Sequence, residues 1–195
     1  MRTLCFGGSF NPIHHGHLLV ARAAAEAAGF GQILLIPSAQ PPHKPAGPDL
    51  ASASDRLTMC QLAVQGMAGF TVSDLELKRA TPSYTLETAR LLRQSGLPEV
   101  AWLIGADTVP QLRKWHQPEQ LLKEVQFVVV RRPGTDMDWS AVEPPYRHLK
   151  DHVVDAPLID VSATEIRNRV RAGKPIDFFT PPAVVEYIRD RGLYR

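Results

Sequence analysis

A chain of 195 residues with 44% hydrophobic and 22% charged residues has the makeup of one ordinary globular domain, over residues 1–195, with a full core. A net charge of +2 is too small for broad nucleic-acid binding, whereas an anionic small ligand needs only local positive charge. Cys5 and Cys60 offer neither metal spacing nor a disulfide framework. No signal peptide or membrane-length apolar run is visible, so the cytoplasm is the default compartment.

Thr3 to Phe6 reads as a first strand, with Cys5 inside it as a small buried hydrophobe. Gly7-Gly8-Ser9 turns the chain, Asn11-Pro12 makes an extended corner, and His14, Gly16 and His17 open a helix. The alanine-rich run from Leu18 to Ala28 continues it and ends at Gly29. Gln32 to Ile36 is a continuous apolar run stopped by Pro37, the pattern of a buried parallel strand. Residues 38–48, with Pro41, Pro42, Pro45 and Pro48, predict an extended surface loop. A helix is expected over Ser54 to Met67 with Ser54 as N-cap, then a strand over Phe70 to Leu77. Thr85 to Gln94 reads as a helix, Val100 to Ile104 as a buried strand, and a short helix follows at Thr108. Gln126 to Val130 is β-branched and bounded by Arg131-Arg132-Pro133-Gly134, a strand. Residues 133–150 are expected to be surface loop with no catalytic pattern. Ser162, with Glu165 three residues on, makes a capping box, and Thr180-Pro181 starts a last helix.

Strands alternating with helices imply an α/β fold: a parallel sheet with right-handed crossovers and the ligand beyond the carboxyl ends of the strands. Gly7-Gly8 follows the first strand, Gly105-Ala106-Asp107 the fourth, and Arg131-Arg132 the fifth, so the motifs obey that rule.

The stretch Leu4 to Leu18, LCFGGSFNPIHHGHL, joins a strand, a glycine turn and a helix start. Main-chain N–H groups and the positive end of a helix dipole converge in such a junction, which suits phosphate. Neither the Gly-Lys-Ser/Thr phosphate loop nor G-x-G-x-x-G is present. Instead Gly16-His17 stands where Gly-Lys would, and His14 and His17 fall near one helix face. Imidazole can donate to phosphate oxygens and carry a proton near neutral pH. A tight turn with a capping histidine is the plainer alternative. Zinc is the other, but no HExxH and no nearby carboxylate accompany the histidines.

Gly8-Ser9-Phe10-Asn11-Pro12-Ile13-His14-His15-Gly16-His17 resembles the (H/T)-x-G-H signature of the nucleotidyltransferase α/β superfamily. The longer GGSFNPxHxGH form resembles that of the bacterial nicotinate-mononucleotide adenylyltransferases. The resemblance implies a Rossmann-like parallel sheet with helices on both faces, in a single domain with a small C-terminal helical part. It also implies AMP transfer from ATP to nicotinate mononucleotide, giving nicotinate adenine dinucleotide and pyrophosphate, a step of NAD biosynthesis. Mg2+ would come with ATP, no protein metal site is implied, and neither nucleic acid nor membrane is a partner. Oligomeric state is not legible.

By the same resemblance His14, His17 and Arg167 would act on the ATP phosphates. Amides of Gly8, Ser9 and Phe10 would lie along the α-phosphate, and Ser162 and Thr164 would help hold the β- and γ-phosphates. Asp160-Val-Ser-Ala-Thr-Glu-Ile-Arg167 resembles the family's triphosphate-gripping element, and Arg suits phosphate because its planar fork donates in pairs. Pro42-His43-Lys44 matches PPHK, with Lys44 near a substrate phosphate. Gly105, Asp107, Leu112 and Trp115 resemble GxDxxxxLxxW. Gly105 would let a purine or phosphate approach, Asp107 would accept from ribose hydroxyls or a magnesium-bound water, and Trp115 would stack on the pyridine ring. Plain alternatives are an N-cap for Asp107 and a core position for Trp115. Tyr84 and Thr85, at a helix N-terminus, would present amides to the nicotinate carboxylate. Alternatives of function are a nicotinamide-mononucleotide or pantetheine-phosphate adenylyltransferase of the same superfamily, and a non-catalytic nucleotide sensor.

Overall fold

The structure, a computed structural model, describes residues 2–39, 49–79, 83–131, 134 and 137–195. Lys44, and with it the Pro42-His43-Lys44 expectation, lies outside them, as does most of the proline-rich loop.

Strand β1 (Thr3–Gly8) runs through both glycines, which accept extended backbone as readily as a turn. Helix α1 (His15–Ala27) and strand β2 (Gln32–Pro37) follow as the sequence predicts. Helix α2 (Ala53–Val64) corrects the expected cap and end. Ser52, not Ser54, is the N-cap, because Asp55 at the third helical position completes the reciprocal bonds: Asp55 N–H donates to Ser52 Oγ at 3.0 Å, and Ser52 Oγ donates to Asp55 Oδ2 at 2.6 Å. The helix stops at Val64, before Gly66 at φ 75° and short of Met67. Strand β3 is only Phe70–Val72. Leu77 N and Lys78 N both donate to Asp74 O, so the polar Ser73-Asp74 step bends the chain where a longer strand was expected.

Helix α3 (Thr85–Gln94) and strand β4 (Val100–Gly105) match their sequence patterns. A 3₁₀ helix, Ala106–Lys114, comes next, then α4 (Pro118–Glu124) and β5 (Gln126–Arg131). The expected loop 133–150 is corrected in part. A helical turn, α5 (Pro144–Arg147), leads into a 3₁₀ helix, His148–His152, and a sixth strand, β6 (Val153–Asp155). Tyr146 and Leu149 are buried there, and these apolar side chains are what fold the segment. Helices α6 (Ala163–Arg171) and α7 (Pro182–Asp190) form the C-terminal helical part.

The strands lie in one sheet in the order β3-β2-β1-β4-β5-β6. The ladders of β1 with β4, β4 with β5 and β5 with β6 are parallel, in registers such as Cys5 opposite Trp102 and Leu103 opposite Val128. Strand order runs one way from β1 to β3 and the other way from β4 to β6. With right-handed crossovers this is the doubly wound, Rossmann-like arrangement with helices on both faces. Strand β1 ends at Gly8 and strand β4 at Gly105.

Two compact units can be described separately. The first comprises Met1–Gly7, Leu19–Leu34 and Tyr84–Leu158. Its interior holds Leu4, Trp102, Leu103, Phe127, Val128 and Leu121. Cys5 is buried as expected, and burial pushes its thiol up to about 12, so it is no nucleophile. On its surface Arg90 forks onto Glu124, with Nε and Nη2 donating at 2.8 and 2.6 Å.

The second unit comprises Gly8–Leu18, Leu35–Ser83 and Ile159–Arg195. There Tyr187 donates to Asp55 Oδ1 at 2.8 Å, and Arg191 lies 3.6 Å from the same oxygen. Burial alone would raise the Asp55 carboxyl, but the hydrogen bonds from Ser52 and Tyr187 and the Arg191 charge outweigh it and hold it below its usual range. Among the described residues no helix is long and apolar enough to cross a membrane.

Candidate functional site

In the second unit the glycine loop and the start of α1 form one tightly determined cluster. The rings of His14 and His17 stack, centroids 3.7 Å apart and planes 27° from parallel. The expected shared face is thus observed. His14 N–H donates to His17 Nδ1 at 3.3 Å, which places the proton of the neutral His17 ring on Nε2 and makes that atom its donor. Phe10 meets the same ring edge-on, centroids 5.1 Å apart.

The backbone is shaped for this packing. Phe10 takes φ 43°, a left-handed conformation rare outside glycine, and its ring is buried. A Cβ at Gly8 would stand 3.1 Å from that ring, and one at Gly16 would stand 3.0 Å from His14 Nδ1, so both glycines are there for close approach. The sequence assigns Phe10 only a main-chain part. The structure adds that its ring orients His17.

The C-terminal segment pins the motif from behind. His15 N–H donates to Phe179 O at 3.1 Å, and Thr180 Oγ1 donates to Ile13 O at 2.7 Å. Tyr194 OH donates to Asn11 Oδ1 at 2.8 Å, and Asn11 Nδ2 donates to Asp49 O at 2.7 Å. Helix α6 brings its own group to the same loop. Arg167 Nη1 donates to Asn11 O at 2.9 Å and Nη2 to Thr164 Oγ1 at 3.3 Å. The Arg167 Nε is buried with no partner among the described residues. Ser162 is the N-cap of α6, as the sequence predicts, accepting from Glu165 N–H at 3.1 Å. Loss of that cap in Ser162→Ala should cost about 1 kcal/mol, read as an earlier midpoint in urea unfolding. An unchanged midpoint would remove the capping role.

The remaining described candidates, Tyr84, Thr85, Gly105, Asp107 and Trp115, belong to the first unit. Gly105 closes β4, and a Cβ there would overlap Asp107 Oδ1, so only glycine lets the carboxylate fold back onto the strand end. Asp107 is exposed and lies within the first turn of the 3₁₀ helix, whose N-cap is Gly105. The N-cap alternative for Asp107 does not hold, because the helix starts two residues before Thr108. Trp115 is half-buried at the end of that helix, whereas Trp102 fills the core, so the core alternative for Trp115 does not hold either. Tyr84 is the N-cap of α3 and makes no side-chain hydrogen bond to its first turn. Its ring stacks on His116, centroids 4.1 Å apart, and His116 Nε2 lies 3.4 Å from Glu87 Oε1. Sequence reasoning missed His116, although its place beside Trp115 was a signal. It also missed Arg56. Among the described residues no three His, Cys, Asp or Glu side chains cluster to hold a metal.

The cytidylyltransferase-like family profile matches residues 5–169. A protein of Roseiflexus castenholzii named "probable nicotinate-nucleotide adenylyltransferase" is 39% identical, covering 100% of this chain and 98% of its own. One of Opitutus terrae with the same name is 40% identical, with the same coverage of each chain. The fold of Plasmodium falciparum nicotinic acid mononucleotide adenylyltransferase, solved with NaAD, superposes with a TM-score of 0.76 at 20% identity, covering 100% of this chain and 98% of that one. At that identity the likeness shows the shared fold.

Proposed function

Because the chain belongs to the nicotinate-nucleotide adenylyltransferases, within the cytidylyltransferase-like group, we propose that it transfers AMP from ATP to nicotinate mononucleotide. The products are nicotinate adenine dinucleotide and pyrophosphate, and the step serves NAD biosynthesis. The observation that carries the reading is the stacked His14–His17 pair, with its Nε2 donor fixed by the His14 N–H, at the start of a helix behind a glycine loop. Chromatographic detection of nicotinate adenine dinucleotide from the two substrates tests it. The chain would work as one domain over residues 1–195, in the cytoplasm.

A phosphate oxygen of the mononucleotide attacks the α-phosphorus of ATP in line, and pyrophosphate leaves. The nucleophile is already anionic, so no general base is needed, and catalysis rests on positioning and charge neutralisation. His14 and His17 donate to phosphate oxygens. Amides of Gly8, Ser9 and Phe10 line the α-phosphate. Ser162, Thr164 and Arg167 hold the β- and γ-phosphates, and the Arg167 Nε, buried without a partner among the described residues, supports that role. Magnesium would enter with ATP as part of the substrate and would supply charge neutralisation on the phosphates, with no side-chain cluster among the described residues to hold it. Tyr84, Thr85 and Trp115 take the nicotinate ring and carboxylate, Gly105 lets a purine or phosphate approach, Asp107 would accept from ribose hydroxyls or a magnesium-bound water, and Lys44 meets a substrate phosphate.

Arg167→Lys keeps the charge but loses the fork. It should weaken ATP binding about tenfold with little effect on the mononucleotide, and Arg167→Ala should go further. Equal ATP affinity in wild type and Arg167→Ala by calorimetry would place Arg167 outside the site.

A further inference from the structure

Arg56 is a guanidinium taken almost wholly out of water, with 1% of its surface exposed. No carboxylate among the described residues pairs with it, and neighbouring Asp55 is engaged by Ser52, Tyr187 and Arg191. Its donors all go to main-chain carbonyls. Nε reaches Ala51 O at 3.1 Å, Nη1 reaches Ser9 O at 2.8 Å and Nη2 reaches Ala39 O at 3.0 Å. These acceptors lie in the run into α2, the loop after β1 and the segment after β2. Burying a charge without a counter-ion is costly, and an apolar side chain of similar length would fill the space without that cost. Packing therefore does not explain an arginine here.

The Ser9 contact has a directional consequence. Ser9 C=O and Phe10 N–H belong to one planar trans peptide, so holding the carbonyl on one side aims the N–H to the other. The next residue carries the left-handed φ of 43°, a conformation that persists only where its surroundings fix it. Carbonyl dipoles also neutralise a guanidinium only in part, leaving positive potential behind the glycine loop.

We propose that Arg56 is a positioning residue for ATP: it clamps Ser9 O so that the loop amides face the phosphates, and its charge, unmatched by any carboxylate among the described residues, adds to the potential the phosphates meet. The proposal rests on the phosphate role assigned above to the loop of Gly8, Ser9 and Phe10.

Arg56→Lys and Arg56→Met test it, the first keeping charge without the fork and the second keeping length without charge. The KM for ATP should rise about tenfold in Arg56→Lys and about a hundredfold in Arg56→Met, the scale of one and two charge-assisted hydrogen bonds, while the KM for the mononucleotide moves less than about threefold. The ATP-induced rise in melting temperature should shrink in the same order. A lower ligand-free melting temperature with wild-type KM for ATP and a wild-type ATP-induced rise would overturn the proposal. If neither variant folds alone, circular dichroism with saturating ATP decides: recovery of the fold supports the coupling, and failure to recover contradicts it. Absence of transfer by the wild type would sink the functional reading instead, and calorimetric ATP affinities of the variants would still decide Arg56.

Discussion

His17→Ala should lower kcat by about 10²- to 10³-fold, the loss seen when one preorganised donor to developing charge is removed. The ring is held from three directions, by the His14 stack, the Phe10 edge and the His14 N–H. In the proposed role, such restraint would spare the Nε2 donor reorganisation as charge builds on the α-phosphate and the leaving pyrophosphate. His17 is half-buried, and Phe10 and His14 keep their other neighbours, so the melting temperature should change little. Steady-state kinetics beside a thermal melt separates the two effects. A mutant with near-normal kcat would remove His17 from the chemistry and leave it as a packing residue.

The second large effect concerns the pyridine substituent. Acid and amide mononucleotides differ by one group, and in the proposed site the N-terminal turn of α3 would meet that group with main-chain N–H donors. A carboxylate accepts charge-assisted bonds from such donors. An amide brings an NH₂ that meets donors head-on, leaving buried donors unsatisfied at about 1–3 kcal/mol each. Two mismatches correspond to about 10²-fold or more in kcat/KM in favour of the acid. In the proposed site Trp115 would stack on either flat ring, so Trp115→Ala should raise both KM values and leave their ratio unchanged. A ratio near one in the wild type would rule out donor-based discrimination. A ratio that collapses in Trp115→Ala would move specificity to the tryptophan.

Local signals are legible in the sequence because the physics there is local. Glycines, a proline corner and two histidines three apart declare the β1–α1 junction, and Ser162 with Glu165 declares the start of α6. The cap of α2 is ambiguous in sequence because Ser52 and Ser54 are both good caps, and only Asp55 in the reciprocal position decides between them. Strand β6 is illegible in sequence because three residues carry too little alternation to be seen. Arg56 was illegible for a different reason. Hydropathy puts arginine outside, and its burial depends on carbonyls of residues 9, 39 and 51, brought together only by the fold. The left-handed Phe10 is likewise a product of packing, since nothing in phenylalanine favours that conformation.

The central claim is adenylyl transfer to nicotinate mononucleotide, and pyrophosphate release measures it most directly. The purified chain, given ATP and magnesium, should release pyrophosphate with nicotinate mononucleotide at least about 10²-fold more efficiently than with nicotinamide mononucleotide, as the donor argument requires. It should release none above background with phosphopantetheine or with no acceptor. Silence with nicotinate mononucleotide, or faster release with phosphopantetheine, would contradict the account.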